Sequence, residues 1–237
     1  MKIGVMDSGI GGMTVLEEVR KLLPNYDYIY YGDSKNNPYG NKSDDELLSI
    51  ASSIVTFLIN QGCKLIIIAC NTATTRCREK LMKLFPNIIF IGVVPAIKVA
   101  CDKNYKNVLV MATPSTIKSE RVHDLIKENK KIYQNIYLLS CEGLANAIEN
   151  NNVDLIDRLL LEFLTPYLDK SIDSIVLGCT HYPLIKKNIK SLIKNVDILD
   201  GNIGVAKETK RQLDNNGFIC NDFGSLKIYN SLIYNVL

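Results

Sequence analysis

Short unbroken apolar runs alternate along this chain with longer stretches whose apolar residues recur at helical spacing. The runs Lys2–Met6, Asp27–Tyr31, 64–69, 88–94, 107–112, 136–140, 173–178, 196–199 and 226–231 predict strands. Between them the spacing predicts helices over Thr14–Leu23, 43–61, 73–85, 95–103, 115–129, 142–150, 153–170, 183–194 and 203–215. Pro24 closes the first helix, and Ser43 with Glu46 forms a capping-box pattern that opens the second. Regular alternation of this kind predicts βαβ units, hence an α/β fold with largely parallel sheets flanked by helices.

Two of the apolar runs end alike. Leu65-Ile66-Ile67-Ile68-Ala69 leads into Cys70-Asn71-Thr72, and Ile175-Val176-Leu177-Gly178 into Cys179-Thr180-His181. Each run delivers a thiol, then short polar groups, to the carboxyl end of a strand, the edge where open α/β sheets bind ligands. The repetition predicts two similar α/β domains rather than one sheet. Pro95 marks the first crossing, giving 1–95 plus 208–237 as one domain and 96–207 as the other.

Composition narrows the class. Hydrophobic content of 47% with 22% charged residues is that of a folded globular protein, and a net charge of +3 gives no reason to expect a nucleic-acid partner. Lys186, Lys187, Lys190 and Lys194 recur as one solvated helix face. No run is long enough to span a membrane, and the first residues enter a strand without a signal-peptide pattern, so a cytoplasmic protein is expected. Seven cysteines, with no C-x-x-C pair, predict reduced thiols and neither a disulfide framework nor a zinc site.

The candidate chemistry lies at strand ends. Asp7-Ser8-Gly9-Ile10-Gly11-Gly12-Met13-Thr14 joins a strand to a helix but lacks the third glycine of a dinucleotide fingerprint and the Gly-Lys-Ser/Thr of a P-loop. It reads equally as a tight turn or as an anion cradle made from backbone N–H groups and Ser8. Asp7 reads as a cap for the following helix or as a group that tunes a neighbouring thiol. Cys63, Cys77, Cys101, Cys141 and Cys220 read as small apolar residues. Cys70 and Cys179 do not, because hydroxyl, amide and imidazole groups follow them and a helix is expected just after each, where its N-terminus favours thiolate. Of the two histidines, His123 reads as a helix-surface residue, while His181 is close enough in sequence to serve Cys179 or to be a structural histidine.

Together Asp7-Ser8-Gly9-x-Gly11-Gly12, Gly32-Asp33-Ser34 with Pro38-Tyr39-Gly40, Ala69-Cys70-Asn71-Thr72-Ala73 and Leu177-Gly178-Cys179-Thr180-His181-Tyr182-Pro183-Leu184 resemble the glutamate racemases of the aspartate/glutamate racemase family. The motifs occur in that family's order over nearly the whole chain. The resemblance implies two pseudo-symmetric α/β domains with the active site in the cleft between them, and catalysis without pyridoxal phosphate, other cofactor or metal. It implies that Cys70 and Cys179 are the acid/base pair, assisted by Asp7 and His181 respectively. It also implies that Ser8, Tyr39, Gly40, Asn71, Thr72, Thr113, Thr116 and Thr180, along with Asp7 and His181, bind a glutamate substrate. Glu149 falls near the position of a family glutamate beside the second cysteine. The chain departs from the family at Lys35-Asn36-Asn37, where an Ala-Arg pair is usual, and at Cys141-Glu142, where Cys-Pro is usual. Homodimers occur in the family, and supply of D-glutamate for peptidoglycan is the role the resemblance implies.

Two-base chemistry takes the Cα proton on one face and returns one on the other, so each thiol must lie within about 3 Å of the reacting carbon. Aspartate is the nearest alternative substrate, because two thiols do not fix side-chain length. A Cys179–His181 hydrolase would leave Cys70 unexplained. A two-lobed amino-acid-binding module would bind without exchanging the Cα proton.

Overall fold

The structure, a computed structural model, describes residues 1–220 and 223–232. Its elements run β1 (Lys2–Asp7), α1 (Met13–Leu22), β2 (Asp27–Gly32), α2 (Asp44–Asn60), β3 (Cys63–Ile68), α3 (Asn71–Leu84), β4 (Ile89–Gly92) and α4 (Ile97–Asp102). Then come β5 (Asn107–Ala112), α5 (Pro114–Ile117), α6 (Glu120–Asn129), β6 (Asn135–Ser140), α7 (Leu144–Glu149), α8 (Val153–Leu164) and β7 (Ser174–Gly178). The chain continues with α9 (Lys186–Leu192), β8 (Asp197–Asp200), α10 (Asn202–Asn215) and β9 (Leu226–Asn230). Short 3₁₀ turns at Ser34–Asn36, Tyr39–Asn41, Thr165–Tyr167 and Tyr182–Ile185 punctuate the loops.

The chain divides into two compact units, 1–93 with 202–237 and 94–201. Of the expected 208–237 segment, 221–222 and 233–237 lie outside the described residues. Residues 202–207, expected in the second domain, instead open α10, whose Val205, Ala206 and Leu213 share a core with Val15, Leu16 and Val19 of α1.

The first unit holds a five-stranded parallel sheet in the order β4-β3-β1-β2-β9. Its inner strands β1, β2 and β3 bury apolar residues on both faces, as packing between two helical layers requires. Ile3, Val5, Tyr28, Tyr30, Leu65 and Ile67 pack against α1 and α10. Met6, Ile29, Ile66, Ile68 and Phe90 pack against Leu47, Ile54, Val55 and Leu58 of α2 and Ala73, Cys77 and Leu81 of α3.

The second unit holds a four-stranded parallel sheet in the order β6-β5-β7-β8. Leu109, Met111, Ile175 and Leu177 face α7, α8 and α9, and Val108, Val110 and Val176 face α4 and α6. Read from opposite ends, the two sheets share one order, with β5, β6, β7 and β8 taking the places of β1, β2, β3 and β4. Each reverses its winding beside the central strand, at β1/β3 in one and β5/β7 in the other, which creates a switch point at the carboxyl edge.

Some helices differ from the sequence pattern. The span 115–129 is broken into α5 and α6, where Ser119 turns its hydroxyl onto the Thr116 carbonyl (2.7 Å). The span 153–170 stops as an α-helix at Leu164, and Pro166, which lacks an N–H, sits in the 3₁₀ turn that follows. No helix among the described residues is long and apolar enough to cross a membrane.

Candidate active-site elements in each unit

In the first unit, β1 ends at a fully buried Asp7. Its Oδ2 accepts the backbone N–H of Gly9 (3.2 Å) and of Gly12 (2.9 Å), so the carboxylate folds the glycine loop around itself. Gly12 is required there, since a Cβ would lie 2.5 Å from Asp7 Cβ and 2.8 Å from Tyr30 Oη. Asp7 thus bonds the N-cap residue Gly12, and Ser8 is buried beside it.

Cys70 lies two residues beyond β3 and is the N-cap of α3, with extended backbone; its carbonyl accepts the Thr74 N–H (2.9 Å). This puts the buried thiol at the positive end of a 14-residue helix. Asn71 and Thr72, the first two helical residues, are buried with it, and Asn71 Oδ1 is a buried acceptor with no hydrogen-bond partner among the described residues.

The Pro38-Tyr39-Gly40 segment arrives from β2. Tyr39 is buried, and its hydroxyl donates to Asp33 Oδ2 (2.8 Å), while Asn36 Nδ2 donates to both carboxylate oxygens (3.0 Å each). Burial first, and then the adjacent Asp33 charge, holds the Tyr39 phenol well above its usual range, with Cys70 and Asp7 as further negative neighbours. The phenol is therefore a permanent donor to Asp33, and Gly40 follows it, exposed.

In the second unit, Cys179 directly follows β7 and is buried. A helix does not begin just after it: a 3₁₀ turn containing Pro183 intervenes, and α9 starts only at Lys186. The fixed φ of Pro183 and the fully buried Tyr182 ring shape this turn, so Cys179 is not the N-cap of an α-helix as Cys70 is. An imidazole takes that place. His181 Nδ1 lies 3.8 Å from Cys179 Sγ, and Nε2 lies 2.6 Å from Glu149 Oε2 at the end of α7. All three side chains are nearly buried, His181 at 1% exposure. With the carboxylate ionised and so accepting only, the Nε2 proton points to Glu149 and Nδ1 faces the Cys179 thiol.

Thr113 caps α5, its Oγ1 accepting the Thr116 N–H (3.3 Å) and bonding the Thr116 hydroxyl (3.0 Å). Thr180 is buried between Cys179 and His181 in sequence. Tyr182 donates to the Cys141 carbonyl (3.3 Å), and burial pushes the Cys141 thiol up, the setting of an inert packing residue.

Asp7, Ser8, Tyr39, Gly40, Cys70, Asn71 and Thr72 thus gather at the carboxyl edge of the first sheet. Thr113, Thr116, Glu149, Cys179, Thr180 and His181 gather at that of the second. His123 is exposed on α6. Two residues were given no role from sequence. Asp33 was readable as the polar end of an apolar strand, but Arg76, which reaches back from α3 to the Tyr39 segment, carries no local signal.

Residues 3–209 match the model of the Asp/Glu/hydantoin racemase family. A glutamate racemase of Clostridium perfringens is 41% identical over 236 residues, covering 97% of this chain and 90% of its own length. A crystal structure of glutamate racemase from Francisella tularensis in complex with D-glutamate superposes with a TM-score of 0.82 at 32% identity, covering 98% of this chain and 88% of that one. The Escherichia coli glutamate racemase in complex with L-glutamate and the activator UDP-MurNAc-Ala gives 0.84 at 30% identity, over 97% of this chain and 88% of that one.

Proposed function

The chain belongs to the Asp/Glu/hydantoin racemase family, and we propose that it interconverts L- and D-glutamate using Cys70 and Cys179 as its two acid/base groups. One observation carries the assignment of the pair. Cys70 follows β3 and Cys179 follows β7, strands that hold the same place in two sheets of the same order. Names and bound ligands of the full-length relatives support glutamate as the substrate.

For one enantiomer, the Cys70 thiolate takes the Cα proton, forming S–H as C–H breaks and leaving the electron pair on Cα, spread into the carboxylate. The Cys179 thiol then gives its proton to Cα and becomes the thiolate. The other enantiomer uses the same groups in reverse, and exchange with solvent resets the pair. His181, held by Glu149, relays protons to Cys179, and Asp7 assists Cys70. Asn71 Oδ1 accepts from the substrate ammonium, which removes the cost of about 1–3 kcal/mol of a buried, unpaired acceptor. Ser8, Thr72, Thr113, Thr116, Thr180 and the backbone at Tyr39 and Gly40 hold the carboxylates. The product is D-glutamate for peptidoglycan, made in the cytoplasm.

Incubation of the purified protein with L-glutamate in D2O, without added cofactor, tests the reading. Deuterium at Cα with decay of optical rotation to zero is expected. Exchange with aspartate but not glutamate overturns the substrate. Exchange with neither overturns the activity.

A further inference from the structure

Resting on that reading, we infer that Arg76 is a positioning residue that clamps the substrate-binding segment Tyr39–Lys42 onto the helix carrying Cys70, Asn71 and Thr72. Arg76 lies on α3, little more than a turn past Thr72, with only 17% of its side chain exposed. Its guanidinium fork meets three partners in three directions. Nη1 donates to the Tyr39 carbonyl (3.3 Å), Nη2 to the Lys42 carbonyl (2.7 Å), and Nε to Asp44 Oδ1 (2.7 Å) at the start of α2.

The segment needs such a clamp. Its own 3₁₀ hydrogen bonds are long, 3.5 Å from Asn41 N–H to the Pro38 carbonyl and 3.3 Å from Lys42 N–H to the Tyr39 carbonyl. Asp33 fixes only the phenol end of Tyr39. Arg76 fixes the main-chain end, where the candidate contacts of Tyr39 and Gly40 lie, and ties it to the helix that presents Asn71 and Thr72. Cradling two carbonyls and a carboxylate together is a task for a planar fork, which the point charge of lysine cannot match. Asp44 is itself 61% exposed, so its ion pair is the dispensable arm.

Arg76→Met and Arg76→Lys are compared with wild type and with Asp44→Asn by racemisation kinetics and by hydrogen–deuterium exchange of peptides covering 37–43 and 63–70. Arg76→Met is expected to raise KM for both enantiomers about tenfold, the equivalent of about 1.4 kcal/mol, with kcat falling less than threefold. Exchange should rise over 37–43 and stay unchanged over 63–70. Arg76→Lys should recover little, and Asp44→Asn should stay near wild type. A folded Arg76→Met or Arg76→Lys with wild-type KM and wild-type exchange over 37–43 overturns the inference. If Arg76→Met does not fold, Arg76→Lys carries the test. Wild-type protein inactive on glutamate overturns the substrate reading alone, because the exchange measurement still decides the clamp.

Discussion

An imidazole and a carboxylate lie beside the second thiol where a helix terminus carries the first, and in the proposed mechanism this asymmetry has a kinetic consequence. His181→Asn removes the group 3.8 Å from Cys179 Sγ and is expected to lower kcat/KM by about 10²-fold, the low end for a positioned acid/base. Because L- and D-glutamate are equal in free energy, both directions must lose the same factor. The primary deuterium isotope effect should nevertheless diverge, growing for the enantiomer whose proton Cys179 removes and shrinking for the other. Equal isotope effects in both directions would sink the assignment of His181 to Cys179. Glu149→Gln, which keeps a hydrogen-bonding shape but not the charge, should cost about tenfold, the loss of one charge-assisted bond. Cys70→Ser or Cys179→Ser should nearly abolish racemisation while leaving elimination from a glutamate bearing a β leaving group, a step that needs only one base. The cysteines were legible in the sequence because each ends an apolar run with polar groups that a core would not tolerate. Glu149 was not legible from spacing: it lies 32 positions before His181, and only the packing of α7 beside the Cys179 loop joins them.

Among the elements, strands were easier to read than helix ends. A strand buried on both faces must be continuously apolar, so β1, β3, β5 and β7 announce themselves. A break such as 118–119, or the 3₁₀ turn after Cys179, depends on one hydroxyl or one proline and leaves the apolar spacing almost untouched. The β1–α1 loop was ambiguous between turn and anion cradle, and its geometry shows why Asp7 and Gly12 must be read together. Gly12→Ala forces a methyl against Asp7 and Tyr30 and is expected to cost about 1–3 kcal/mol in urea unfolding, with a matching loss of activity. Gly204→Ala, in α10 with no described atom beyond its own stretch of helix within 4 Å of the new methyl, is expected to raise stability by up to about 1 kcal/mol. An unaffected Gly12→Ala would show that the loop does not need the close approach of Asp7.

At the scale of the whole molecule, the α/β class followed from alternation alone, whereas the crossing into α10 could not be placed without knowing that α10 packs on α1. The buried thiols set how this molecule tolerates alkali. Burial pushes Cys63 up to about 12 and Cys77 to about 11, and it raises Cys141 as well. In the unfolded chain these thiols ionise near 8.5. Below that pH both states hold the protons, and the full stability is present. Above it the unfolded chain releases protons that the folded chain keeps, so stability falls as pH rises, until the folded thiols themselves ionise. Each thiol approaches a slope of about 1.4 kcal/mol per pH unit above 8.5, which integrates to about 1.6 kcal/mol between pH 8.5 and pH 10. Tyr39 and Tyr182, also raised mainly by burial, add to the decline above pH 10. Urea unfolding at pH 8 and pH 10 should therefore show a loss of several kcal/mol. A Cys63→Ala/Cys77→Ala variant, less stable at pH 8, should lose markedly less between the two pH values than wild type does. A double variant with the wild-type slope would mean that Cys63 and Cys77 are not held protonated by burial, and the alkaline decline would have to be traced to Cys141 instead.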